Sequence, residues 1–202
     1  MDQQNMEQIA QQVLARIFVE LEASARHVHV TEQQALQLFG HGLTPDRPLS
    51  QPGQYLAKER LCLVGPKGEM AKVAVLGPAR EEAQVELSRT DARALGLKPP
   101  VRDSGNVADT PGLTLRGPMG TLTLDHGVII ARRHLHMTPE DAAHYGVRDR
   151  QLVKLQTFTD RPVIFEDVLV RVRRDFATRV HLDFDEANAC AMEPGDLGRI
   201  LL

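Results

Sequence analysis

The sequence predicts a mainly β protein. The expected fold is two β-barrel domains capped by short α-helices, internally duplicated, with an amphipathic helix at the N-terminus. Three observations lead there. Apolar runs are short and bounded by Gly, Pro and Asp, as in "LCLVG", "AKVAVLG", "LTLRG", "TLTLDHGVIIA", "LVKLQTF", "PVIFEDVLVRV" and "TRVHLDF". Helical periodicity is sparse, which points to barrels or sandwiches. One nine-residue phrase also recurs four times, a sign of duplication. A chain of 202 residues can build one large domain or two small ones, each with its own core.

Taken in order, residues from Asp2 to about Arg16 read as a helix, because Met6, Ile9, Ala10, Val13, Leu14 and Ile17 recur at helical spacing with Gln and Glu opposite. That stripe suits docking on the protein's own core or on a partner. Gly40–Gln54, dense in Pro and Gly, reads as a polar loop, and Gly105–Gly120 as a second loop-rich region.

The recurring phrase carries the chemistry. Its copies are "HVHVTEQQA" (His27–Ala35), "QVELSRTDA" (Gln84–Ala92), "HLHMTPEDA" (His134–Ala142) and "HLDFDEANA" (His181–Ala189). The first three residues of each fit a strand end. Positions one and three then share a face, and the apolar residue between them enters the core. Thr31, Ser88, Thr138 and Asp185 are expected N-caps, with Gln34, Asp91, Asp141 and Asn188 closing a capping box or a variant of it. Gly96 and Gly146 are expected to end two of the helices. The polar pairs are His27/His29, Gln84/Glu86, His134/His136 and His181/Asp183, which use five of the 8 histidines. A lone HxH is a weak signal. Repeated in register with carboxylates, it points to zinc or a similar divalent metal. His41, His126 and His144 fall outside the pattern and read as solvated or structural.

Composition excludes several classes. A formal charge of −3 and a pI near 6.2 lack the basic face of a nucleic-acid binder. No apolar run approaches the ~18 residues of a membrane span. The polar, acidic start does not resemble a secretory signal. Cys62 and Cys190 lie outside any CxxC pattern, as expected of ordinary thiols in a reducing cytosol.

Five blocks, "SARHVHVT", "GPAR…QVELSRTDARALG", "SGNVADTPGLTLRGPMG", "GVIIARRHLHMTPEDA" and "HLDFDEANA", resemble the signatures of the PduL-type phosphotransacylases, or phosphate propanoyltransferases. The resemblance runs from about residue 20 to the C-terminus. It departs at Ala25, where relatives commonly carry Asn, which puts a local hydrogen bond in question. It implies reversible transfer of a short acyl group, propanoyl or acetyl, between coenzyme A (CoA) and phosphate. It also implies two divalent ions per chain, zinc by preference. One would be held by His27, His29 and Glu86, the other by His134, His136 and His181. Gln84 and Asp183 would support these ligands, Arg80 would bind phosphate, and Ser24, Leu76 and Asn188 would contact CoA. Arg26 and Arg133, which precede the HxH pairs, fit either anion binding or structural salt bridges.

The same resemblance implies a central barrel of residues 27–131, with an inserted loop or hairpin near 40–60. A second barrel would combine 19–26 with 132–202. It further implies a homodimer, and a role for residues 1–18 as an encapsulation peptide binding microcompartment shell proteins in the cytoplasm. Two rival functions fit the residues: a binuclear metal-dependent acyl-CoA thioesterase, and a non-catalytic metal-stabilised microcompartment scaffold.

Overall fold

The computed structural model describes Asn5 and residues 17–202. Apart from Asn5 and Ile17, the expected N-terminal helix lies outside the described residues. The fold is mainly β, with one closed barrel, one sheet curled into a half-barrel, and four short helices among the described residues. No helix there is long and apolar enough to cross a membrane. The chain divides into two compact units. One is built from Ser24–Arg132 with Asp183–Asp185; the other from the described residues up to Ala23 with Arg133–Leu182 and Glu186–Leu202.

Strand β1 (Val19–Ser24) comes first in the chain, but its partners come last. The central unit follows with β2 (His27–His29), β3 (Pro45–Pro48), β4 (Tyr55–Val64), β5 (Glu69–Gly77), β6 (Gln84–Glu86), β7 (Val101–Arg102), β8 (Thr114–Arg116), β9 (Thr121–Thr123) and β10 (Val128–Ala131). Its helices are α1 (Glu32–Phe39) and α2 (Arg89–Leu95). The sheet order is β7-β10-β6-β2-β5-β4-β8-β9, and β3 adds to β4. The stretch expected as a polar loop at 40–54 therefore holds a short strand, fully exposed and flanked by prolines that suit an edge. The core of this unit is Val28, Val30, Leu38, Leu61, Leu63, Val75, Val85, Leu95 and Leu115 with their neighbours. Burying each such side chain contributes about 1.5–3 kcal/mol. The β4–β5 turn presses on the end of α2, where a Cβ on Gly65 would meet the Leu95 carbonyl oxygen at 2.3 Å.

The other unit adds β11 (His134–Met137), β12 (Leu152–Phe158), β13 (Ile164–Val172), β14 (Arg179–Asp183) and β15 (Leu197–Leu201), with α3 (Pro139–Tyr145) and α4 (Phe184–Ala189). These strands and β1 close a barrel in the order β1-β14-β11-β13-β12-β15. Closure comes from antiparallel pairing of Val19 with Gly198 and Glu20 with Leu197. Leu135, Met137, Val168, Val170, Val180 and Leu182 fill the interior. Alternation along β11 and β14 then turns His134, His136 and His181 to the outer face.

Three of the four corners form as the sequence predicts. Thr31 and Gln34 make a full capping box on α1. The Ser88 and Thr138 hydroxyls accept from the backbone N–H of Asp91 and Asp141. Gly40, Gly96 and Gly146 end their helices in the left-handed conformation. The fourth corner differs. Helix α4 begins at Phe184, so Asp185 lies inside it and is not its N-cap. The Asp185 carboxylate instead accepts from the backbone N–H of Thr90, at the start of α2 (2.8 Å).

Candidate metal centre

Strands β2 and β6 run antiparallel with His27 opposite Glu86 and His29 opposite Gln84. Directly opposed residues share a face, with Cβ atoms ~5 Å apart. Val28 and Val85 point into the core, so the four polar side chains stand together on the other face. His27, His29 and Glu86 each offer one ligand atom, all within 4.8 Å of one another.

The hydrogen bonds prepare this cluster for a cation. The Nδ1 of His27 lies 2.7 Å from the Ala25 carbonyl, which can only accept, so Nδ1 carries the proton. In the neutral ring Nε2 then presents a lone pair, 3.6 Å from Glu86 Oε2. Two acceptors facing each other need a positive charge between them. The bond at residue 25 comes from the backbone, so an alanine there costs it nothing. Burial disfavours protonation of His27, but the Glu86 carboxylate outweighs it and holds the pKa above the ordinary histidine value. His29 goes the other way: burial, then the charges of His27 and Arg80, push its pKa well below the ordinary value. The His29 Nδ1 is buried with no hydrogen-bond partner, an arrangement that costs ~1–3 kcal/mol unless a ligand engages it.

Glu86 is held from behind. Gln84 Nε2 donates to Glu86 Oε1 (2.5 Å) and to the Ser104 hydroxyl oxygen (2.8 Å), while the Ser104 hydroxyl donates to the same Glu86 oxygen (3.0 Å). The Gly105 backbone N–H fixes Gln84 Oε1 (2.7 Å). Arg80 reaches this network through Nη1, 3.4 Å from the Ser104 hydroxyl. Its guanidinium thus borders the cluster. Ser104 has no counterpart in the repeat. It lies in a loop inside the "SGNVADTPGLTLRGPMG" block, and no local spacing singles it out.

The second cluster uses the same device on the barrel. His134 lies opposite His181 on β14, and His136 opposite Arg179. The rings of His134 and His181 stack at 5.0 Å and 14°, and His136 lies 4.6 and 4.8 Å from them. The three offer ligand atoms within 4.8 Å of one another. Phe176, unforeseen in the sequence, packs on His136 at 4.1 Å between ring centroids. On the other flank His136 pairs with Arg171 of β13. The two clusters therefore differ in charge. One contains a carboxylate, while the other is all imidazole with arginines as register neighbours.

Both donor sets, two imidazoles with a carboxylate and three imidazoles, fit a divalent ion of the zinc type with a fourth position open. Donor chemistry, the facing lone pairs and the buried orphan nitrogen all agree with that fit.

The remaining expected residues are placed as follows. Leu76 is on β5, on the opposite face from Val73 and Val75 of the core and therefore on the side of His27 and His29. Ser24 ends β1, Asn188 is exposed on α4, and Asp183 ends β14. Arg26 and Arg133 both form salt bridges, to Asp91 (2.5 Å) and Glu186 (2.7 Å). His41, His126 and His144 lie outside both clusters, with His126 paired to Glu82. Cys62 and Cys190 are free thiols, half-buried and buried.

A family model described as phosphate propanoyltransferase matches residues 20–193. The chain is 55% identical over 177 residues to the phosphate propanoyltransferase of Thermotoga maritima, covering 86% of this chain and 84% of that one. It is 48% identical to the protein of that name from Listeria monocytogenes, over 97% and 93% of the two chains. It is 46% identical to that of Rhodopseudomonas palustris, over 88% and 79%. With a match across most of its length, this chain belongs to the phosphate propanoyltransferase family of acyltransferases.

Proposed function

We propose that the chain catalyses reversible transfer of a short acyl group, propanoyl or acetyl, between CoA and inorganic phosphate, at a site with two divalent metal ions. The observation that carries this reading is the pair of three-donor clusters, one of them bordered by Arg80. His27, His29 and Glu86 hold one ion, and His134, His136 and His181 the other, with zinc favoured by the donors. Bound there, the ions supply Lewis-acid stabilisation of charge developing on oxygen and sulfur.

The chain's own groups do the rest. Arg80 presents a fork of donors to phosphate oxygens and holds the nucleophile. Ser24, Leu76 and Asn188 contact CoA and bring the thioester carbonyl beside it, which makes the attack effectively unimolecular. A phosphate oxygen forms the new C–O bond as the C–S bond breaks. The sulfur leaves as CoA and takes up the proton that hydrogen phosphate gives up. No acyl-enzyme is needed. The Ser104 hydroxyl is committed to Glu86, and neither cysteine belongs to a cluster. Gln84 and the Gly105 N–H keep Glu86 oriented through each cycle.

The enzyme acts as a homodimer in the cytoplasm, inside a bacterial microcompartment that it enters by binding shell proteins through residues 1–18. The amphipathic pattern of that segment and the family resemblance support this part of the reading.

The test is CoA thiol release from propanoyl-CoA with and without phosphate, with a metal count on the same protein. Phosphate-dependent release with about two ions per chain, falling to about one in His29→Ala or His136→Ala, is the expected result. Release that ignores phosphate would make the protein a thioesterase. No release from metal-loaded protein would favour a scaffold.

A further inference from the structure

A cavity of about 350 Å³ opens in the central unit beside α2. It is separate from the His27–His29–Glu86 cluster. Ile130 contributes to its wall, and Ile130 lies on the opposite face of β10 from Ile129, the register partner of Glu86. Four side chains lining it are cationic, Lys67, Arg89, Arg93 and Lys98, and none is acidic. The whole chain carries 27 acidic residues against 24 basic ones, so even mixing would not give such a wall.

None of the four takes part in an ion pair among the described residues. The nearby acid of α2, Asp91, is already engaged by Arg26. Arg89 and Arg93 are one turn apart on a single face of α2. Lys67 is positioned from below. Its backbone N–H donates to the Leu95 carbonyl (3.1 Å), and its stem lies over Gly96, where a Cβ would meet its Cγ at 2.5 Å. Ala92 and Leu97 supply an apolar floor.

Four like charges around one concavity repel each other unless an anion sits among them. The volume falls within the ~300–1,000 Å³ of small-molecule sites. Two guanidinium forks match phosphate oxygens, and two ammonium groups add point charges. A carboxylate or a single phosphate would balance only part of that charge, and the apolar floor calls for an organic body. We propose that this cavity is a second, non-catalytic anion site that binds an organic polyphosphate.

The test is calorimetric titration of the metal-loaded chain with ADP as the probe. Binding is expected in the wild type and in Arg80→Ala, with equal affinity. It should weaken about tenfold or more in an Arg89→Gln/Arg93→Gln variant, and largely survive in Arg93→Lys, which keeps the charge. All four side chains are exposed, so thermal melting should show the variants folded. Loss of binding in Arg80→Ala, or unchanged binding in the double variant, would overturn the proposal. So would a higher KM for CoA in the double variant, which would make the cavity the nucleotide end of the substrate site. The calorimetry does not depend on turnover, so it can fail while the acyltransferase reading stands, or the reverse.

Discussion

At the scale of single residues, the site divides into groups that meet ligands and groups that aim them. Under the proposed function Arg80 belongs to the first kind. Its charge already depresses the pKa of His29, so an anion beside it is stabilised by the same field. Arg80→Ala should raise the KM for phosphate by about 10–100-fold, the loss of one charge-assisted contact or a bidentate pair, and leave that for acyl-CoA nearly unchanged. Steady-state kinetics in both substrates would check it; equal effects on both would mean that the arginine is structural. Ser104 belongs to the second kind. Its hydroxyl donates to Glu86 and accepts from Gln84 and Arg80. Ser104→Ala should weaken metal binding about 10–100-fold, the usual effect of losing a group that orients a ligand. Competition with a chromophoric chelator reads this without turnover. Unchanged affinity would mean that Gln84 alone holds the carboxylate.

At the scale of elements, the recurring unit is a strand end, a cap and a short helix. Thr31→Ala and Thr138→Ala should each cost about 1 kcal/mol, because each hydroxyl satisfies an otherwise orphaned N–H. In a chain of this size that lowers Tm by about 2–4 °C, measurable by thermal unfolding. No change would mean that water replaces the caps at no cost. These corners were legible because strand alternation and capping are local rules. Register was not. Glu86, third in its copy, faces His27, whereas His181, first in its copy, faces His134. The two pairings differ by a two-residue slip, which leaves every side chain on its proper face and therefore leaves no trace in the apolar pattern. That slip decides which residue completes each cluster. It also sets Arg179 opposite His136, where the central unit has Gln84 opposite His29. Ser104 and Phe176 come from outside the repeated frame, so no periodicity could reveal them. Asp185 reads as a cap because its copy matches the others in letters, but its helix starts two residues earlier in the phrase.

At the scale of the whole molecule, the chain order decides how the N-terminus can be tested. The barrel closes only with β1, which pairs with β15, while Glu20 forms an ion pair with Arg179 of the neighbouring β14. Val19 and Leu21 lie in the barrel core. Phe18 also belongs to this unit: its carbonyl accepts from the Tyr145 hydroxyl (2.9 Å), and its ring meets Phe158 edge-on at 5.1 Å. A truncation meant to remove only a targeting segment must therefore stop before Phe18. A chain of residues 17–202 should keep its melting temperature and its phosphate-dependent CoA release while losing capture by shell proteins. A chain of 25–202 should lose the barrel altogether, since no other strand can take the place of β1. Shell-protein pull-down, thermal melting and thiol release on the two truncations and the full chain separate the cases. If residues 17–202 are captured as well as the full chain, the targeting role of the first 16 residues fails while the enzyme assignment stands. If that truncation loses activity as well, those residues act in the catalytic fold.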